Sequence, residues 1–193
     1  MSRLKLGVLA SGNGTNLRNL VGLGFEVAAV ATNRPSCGAA DFARGRSLPL
    51  GEFSQKAYRA LQERDAVMAA WLESRGVELV VNAGYDRILS AAFTARFADR
   101  IVNIHPSLLP AFGGGMDAVE QALRHGVKIT GCTVHLVTDV VDGGPIILQA
   151  AVPVLEGDTV EALQARIRVE EHRILPEAIR ILEHRLATSP PLR

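Results

Sequence analysis

Short apolar runs alternate along this chain with segments in which apolar residues recur every three or four positions. Leu4 to Ala10 is almost wholly apolar and closes on Ser11-Gly12, the pattern of a strand buried on both faces. Phe25 to Thr32 repeats that pattern and ends at Asn33-Arg34-Pro35. Val77 to Ala83 and Arg100 to Ile104 supply a third and a fourth strand. Between the second and third, Gln55 to Arg75 has helical spacing, with Leu61, Val67, Ala70 and Trp71 as its apolar positions and Gly76 as a C-terminal stop. Ser90 to Phe97 reads as a short helix capped by Ser90, and Met116 to His125 as another that stops at Gly126.

Two extended runs follow, Thr130 to Val137 and Pro145 to Val154, with no crossover helix between them; they are expected to pair antiparallel. Thr159 to Leu186 predicts a long amphipathic helix, with Asp158 or Thr159 as cap and Pro176 breaking or kinking it. The succession predicts an α/β fold: a Rossmann-like, mostly parallel sheet flanked by helices, with an antiparallel C-terminal extension. No internal repeat or low-complexity linker divides it, so one domain is expected over residues 1–187, with a flexible tail at 188–193.

Composition narrows the class of protein. With 193 residues, 48% of them hydrophobic and 21% charged, the chain can bury a core as an ordinary globular domain. Lys and Arg total 21 against 20 acids, a net charge of +1, so no broad field selects nucleic acid or an acidic membrane, and any anion site must be local. No apolar stretch approaches the roughly 20 residues that span a bilayer, and the N-terminal run is too short for a secretory leader. Cys37 and Cys132 lie far apart without C-x-x-C spacing, which argues against a zinc site or disulfide framework and fits a reducing, cytoplasmic setting.

Three segments carry candidate chemistry. Ser11-Gly12-Asn13-Gly14-Thr15-Asn16 follows a strand and opens a helix, as a phosphate cradle does, or as a tight turn that binds nothing. It lacks the third glycine of a dinucleotide fingerprint, where Leu17 stands, and the second strand ends in Asn33 rather than an acid. Asn103 and His105, at i and i+2 on an extended segment, share one face, and Pro106 and Pro110 turn the chain out of the sheet just beyond. Asp142 precedes Gly143-Gly144-Pro145, a bend able to bring a carboxylate back towards them. An amide donor, an imidazole and a carboxylate suit acyl transfer without a covalent nucleophile, because a carboxylate near a histidine favours the proton-carrying imidazolium. Taken singly, a histidine such as His105 is more often a hydrogen-bonded core residue and Asp142-Gly143-Gly144-Pro145 more often simply a turn; their combination with the glycine loop shifts the reading towards chemistry. His135 reads as a packing residue, His125 and His184 as helix-end residues, and no His pair has metal-ligand spacing.

Four motifs in order, Gly12-Asn13-Gly14-Thr15-Asn16, Gly84-Tyr85-Asp86-Arg87-Ile88-Leu89-Ser90, Asn103-Ile104-His105-Pro106-Ser107-Leu108-Leu109-Pro110 and Asp142-Gly143-Gly144-Pro145, closely resemble the phosphoribosylglycinamide formyltransferase family of folate-dependent enzymes. The resemblance runs from Lys5 to about Leu186 and implies the formyltransferase fold. It implies formyl transfer from 10-formyltetrahydrofolate, a co-substrate, to the amine of glycinamide ribonucleotide in purine biosynthesis, without a metal. It further implies small-molecule substrates, no nucleic acid or membrane partner, and a monomer or homodimer. Carried over, Asn103, His105 and Asp142 would be catalytic, and Gly12, Asn13, Gly14, Thr15, Asn16 and Glu171 would hold the ribonucleotide. Asp86, Arg87, Ile88, Leu89, Asn103, Val137, Thr138, Asp139, Val140 and Val141 would line the folate pocket.

The chain departs from that family in four places. The stretch from Asn16 to Val27 is shorter, predicting a first helix of about one turn. Asp86 replaces an apolar residue, Gly113-Gly114-Gly115 enriches the loop after Pro110 in glycine, and the arginine expected to meet the folate's glutamate tail has no matching residue, Lys56, Arg59 and Arg64 being the candidates. Related alternatives are a formyltetrahydrofolate hydrolase, which carries an extra N-terminal domain and a second His where Pro106 stands, and a methionyl-tRNA formyltransferase, which needs an extra C-terminal domain. A non-catalytic nucleotide-binding module is the non-enzyme alternative.

Overall fold

A computed structural model describes residues 4–188. Seven strands form one sheet in the order β3-β2-β1-β4-β5-β6-β7. Its chain divides into two compact units, one running to Asn103 and including Leu136–Gly144, the other comprising Ile104–His135 and the chain from Pro145 onward.

In the first unit, β1 (Leu6–Leu9), α1 (Thr15–Gly22), β2 (Val27–Thr32), α2 (Gly38–Gly45), β3 (Leu50–Glu52), a 3-10 turn at Gln55–Ala57, α3 (Leu61–Ser74), β4 (Leu79–Asn82) and α4 (Ala91–Arg96) lead into β5 (Ile101–His105). The strands are parallel: Leu6 lies opposite Val27 on one side and Leu79 on the other, and Asn82 opposite Asn103. All four residues of β1 are buried, as its uninterrupted apolar run requires. Phe93, Phe97, Met68, Leu72 and Ile101 are among the large members of the core, with the Phe93 and Phe97 rings 5.4 Å apart.

The second unit takes α5 (Ala118–Arg124), β6 (Ile129–Leu136), β7 (Ile146–Pro153) and α6 (Val160–Thr188). β6 and β7 pair antiparallel, as expected for two runs without a crossover. On α6 the buried positions Leu163, Ile167, Ile174, Leu175, Ile179 and Leu182 form one stripe, which packs on β7 and α5.

Several local expectations are revised. α1 has eight residues, about two turns rather than one, because Leu17 and Leu20 at i and i+3 both reach the core. On α3 the buried face runs through Arg64, Asp65, Met68, Ala69 and Leu72, while Val67 is 47% exposed; two charged side chains occupy the stripe, so the apolar pattern pointed to the wrong face. The helix is also shorter than read, since the 3-10 turn takes up its predicted start. α2 and β3 are additional elements, one Ala-rich and the other three residues long, both too short to impose a period. Ser90 does stand at the N-cap of α4, but its buried hydroxyl makes no hydrogen bond. At α6 it is Thr159 that caps, its Oγ1 accepting the Ala162 N–H at 3.2 Å, and the helix continues through Pro176. Thr188, assigned to the tail, ends that helix; the rest of the expected tail, 189–193, lies outside the described residues.

Candidate functional site

The glycine loop begins where β1 ends. Gly14 is left-handed, with φ 70°, and a Cβ there would stand 2.8 Å from the Cα and Cβ of Ala39, so both backbone and space demand glycine. The Ala39 N–H donates to the Gly12 carbonyl at 3.0 Å, binding the loop to the start of α2. Gly12 and Asn13 stay exposed, while Thr15 and Asn16 open α1, whose first turn contains no acid. N–H groups at a helix start beside exposed glycine backbone suit an anion. Arg18, one turn further on, donates to the carbonyls of Asn13 (3.5 Å) and Gly38 (3.3 Å), and its guanidinium lies 4.5 Å from the Phe42 ring centroid. No sequence motif marks this cation, because two of its anchors, Gly38 and Phe42, belong to α2.

Behind the loop, three polar side chains close a ring. The Ser11 hydroxyl donates to Asn33 Oδ1, Asn33 Nδ2 donates to Asp86 Oδ1 at 2.8 Å, and the Asp86 N–H donates to Ser11 Oγ at 3.0 Å. Arg34 pairs with the Asp86 carboxylate and Arg87 stands 3.8 Å from it. Burial pushes the Asp86 carboxyl up, but the bonds from Asn33 and Ser11 and the charges of Arg34 and Arg87 outweigh it and hold the pKa below its ordinary value. A depressed carboxylate contributes stability above the unfolded pKa and loses it as pH falls through the folded one. Asp86→Asn is therefore expected to be less stable than the parent at neutral pH, with the gap closing below about pH 4; denaturant unfolding across that range measures it.

Asn103 sits near the end of β5, half-buried, and its Nδ2 donates to Asp142 Oδ1 at 3.4 Å. The amide and the carboxylate, 39 positions apart in sequence, are thus brought together. Asp142 itself takes the left-handed turn, at φ 52°. The glycines after it serve a different need: a Cβ on Gly144 would lie 1.8 Å from the Leu136 carbonyl oxygen.

His105 ends β5 and is buried, and its Nε2 lies 3.0 Å from the Phe112 carbonyl. A carbonyl only accepts, so Nε2 carries a proton in this arrangement. Phe112 is left-handed at φ 56°, and its ring lies 5.6 Å from that of His125. The bend after His105 is held by Thr133 on β6, whose hydroxyl donates to the Ser107 carbonyl at 2.7 Å and accepts the Leu109 N–H at 3.0 Å. Gln149 on β7 adds bonds to the Leu109 carbonyl and Thr133 Oγ1, both at 3.0 Å. Sequence reasoning missed Thr133 and Gln149; alternation sets Thr133 on the face opposite Cys132, Val134 and Leu136, and nothing in the sequence names its partners.

Of the segments assigned to folate, Arg87 and Ile88 are exposed, Ile88 at 66%, while Leu89 and Val137 pack against the core. Val140 and Val141 are exposed at 66% and 52%, and Asp139 accepts a hydrogen bond from the Thr94 hydroxyl at 3.2 Å; Thr138 bonds within its own turn. Large apolar side chains kept out of the core on irregular segments suit a flat apolar ligand. Arg64 is excluded as the cation for a glutamate tail: it is fully buried and paired with Asp65. Glu171 lies half-buried on α6, and its charge, with that of Glu170, adds to burial in pushing the Cys132 thiol up to about 12. Among the described residues no group of three or more His, Cys, Asp or Glu is placed to hold a metal ion, and no helix is long and apolar enough to cross a membrane.

A mostly parallel α/β sheet with a glycine loop after its first strand, and with Asn103 on its fifth strand bonded to Asp142, has the architecture of a Rossmann-like α/β protein. The chain belongs to the formyl transferase family, which it matches over residues 4–179. It is 42% identical over 183 residues to the phosphoribosylglycinamide formyltransferase of Mycobacterium tuberculosis, covering 92% of this chain and 84% of that one. The human trifunctional purine biosynthetic protein adenosine-3 is 39% identical over 186 residues; the match takes in 93% of this chain but only 18% of that protein's length. The crystal structure of glycinamide ribonucleotide transformylase 1 from Symbiobacterium toebii superposes with a TM-score of 0.89 at 50% identity, over 93% of this chain and 87% of that one.

Proposed function

We propose that this protein transfers the formyl group of 10-formyltetrahydrofolate to the amine of glycinamide ribonucleotide, a step of purine biosynthesis. The observation that carries the proposal is the Asn103 amide bonded to the Asp142 carboxylate, with His105 two residues along the same strand, in a chain whose relatives bear this activity in their names.

The uncharged amine attacks the formyl carbon; a C–N bond forms and the carbonyl becomes an oxyanion. Asn103 and His105 are the donors to that oxygen, which takes the place held in the free protein by Asp142 on Asn103 and by the Phe112 carbonyl on His105. The attacking nitrogen sheds its proton to Asp142, the oxyanion re-forms the carbonyl as the bond from carbon to the folate nitrogen breaks, and His105 supplies the proton that nitrogen takes; the proton on Asp142 then passes to His105 and restores both. The phosphate of the ribonucleotide sits on the N–H groups of Gly12, Asn13, Gly14, Thr15 and Asn16, and Glu171 contacts its glycinamide end. Arg87, Ile88 and Leu89, with Val137 to Val141, line the folate site, while Asp86 acts from behind Arg87. No nucleophilic Ser or Cys motif is involved, in keeping with direct transfer; holding two substrates in register supplies much of the acceleration. A cytoplasmic setting, small-molecule partners only, catalysis by a single domain, and a monomer or homodimer belong to the same proposal.

Acceptor dependence tests it. Purified protein is expected to consume 10-formyltetrahydrofolate only when glycinamide ribonucleotide is present, followed by absorbance and by product mass. Equal consumption without the acceptor would establish the hydrolase instead.

A further inference from the structure

The segment joining β4 to α4, residues 83–90, has no regular secondary structure, yet its backbone is held at successive points by side chains. The Tyr85 N–H donates to Asn82 Oδ1 at 3.2 Å and the Asp86 N–H to Ser11 Oγ. Further along, the Ser90 N–H donates to Asp65 Oδ2 at 2.6 Å, and the Ile88 carbonyl accepts from Arg64 Nη2 at 3.4 Å. The last two anchors come from neighbours on α3 whose side chains are both 0% exposed.

These two residues satisfy each other almost completely. Asp65 Oδ1 accepts from Arg64 Nε at 2.9 Å and Nη2 at 2.6 Å, leaving Oδ2 for Ser90, while Arg64 Nη1 reaches Gln55 Oε1 at 3.3 Å. The guanidinium also lies 5.8 Å from the Tyr85 ring centroid. Burying two charges is expensive, and apolar residues of similar volume commonly stabilise a core as well or better. What apolar residues cannot do is bind a backbone N–H and a backbone carbonyl of the neighbouring segment. We infer that the Arg64–Asp65 pair is a positioning unit, which pre-sets the backbone from Ile88 to Ser90 so that Arg87, Ile88 and Leu89 present a formed surface to the folate. The inference rests on the proposed function for the identity of the ligand, but not for the anchoring itself.

The test replaces the pair by apolar residues, Arg64→Met with Asp65→Leu. Amide exchange at residues 86–91 is expected to quicken, with the Ser90 amide most affected. The KM for 10-formyltetrahydrofolate is expected to rise about tenfold or more, while kcat and the KM for glycinamide ribonucleotide stay within about threefold, since the charge-assisted bonds lost hold the folate segment and, through Gln55, the 3-10 turn before α3. A folded double variant with unchanged exchange and unchanged folate KM would overturn the inference, as would losses that merely track the folded fraction. Ser90→Pro serves if that variant does not fold. It suits the φ of −71° at Ser90 and keeps the pair, but deletes the N–H. It is expected to raise the folate KM in the same selective way, and an unaltered KM would be fatal to the inference. Should the parent protein lack formyl transfer, the proposed function fails, and the exchange measurement still decides whether the pair sets this segment.

Discussion

Asp142→Asn is expected to lower kcat by about 10²- to 10⁴-fold while leaving both KM values near those of the parent, the span a positioned proton-transfer group commonly supplies. The substitution is a clean one for a physical reason. Asp142 occupies the left-handed region, φ 52°, which asparagine adopts nearly as readily as aspartate, so the bend into Gly143 and Gly144 survives. The Asn103 amide also keeps an oxygen to bond. What disappears is the negative charge and the capacity to take a proton from the attacking amine. Steady-state kinetics with both substrates reads the effect, and a kcat unchanged across neutral pH would remove Asp142 from the proton path.

Asn103→Ala is the second large effect. Removing one preorganised donor to a developing oxyanion costs about 10²- to 10³-fold in kcat. At Asn103 the loss has two parts. The oxyanion loses its amide donor, and Asp142 loses the hydrogen bond that holds it at 3.4 Å. Because the two residues share that bond, their substitutions are expected to be non-additive: the double variant Asn103→Ala with Asp142→Asn should fall well short of the product of the single effects. Full multiplicativity in that cycle would mean that they act independently.

The sheet was legible because its strands are continuous apolar runs, and the pairing of β6 with β7 because no crossover separates them. Asn103 with Asp142 was legible because each is bracketed by residues that bend the chain, Pro106 on one side and Gly143-Gly144 on the other. Tertiary bonds were not legible. The period of α3 pointed to Val67 and Trp71, since a charged pair such as Arg64–Asp65 looks like a solvated face until its partners in 84–90 are seen. Nor does any local signal in Asp86 predict that Asn33 and Ser11 will enclose it from two other strand ends. Turns made by close approach rather than by φ are equally silent, as at Gly144 beside Leu136.

The strand order has a kinetic consequence. β1 must wait for β4, its central neighbour, while Leu6 and Leu79 find each other across the whole of α1 to α3. Loop closures of that length are slow, and parallel pairing gives no early local reward. Asn103 takes its place only when β5 docks on β4, and Asp142 arrives later still in the chain. Both groups of this unit's candidate site therefore depend on contacts distant in sequence, Asn103 on the docking of β5 against β4 and Asp142 on a turn 39 positions further along the chain.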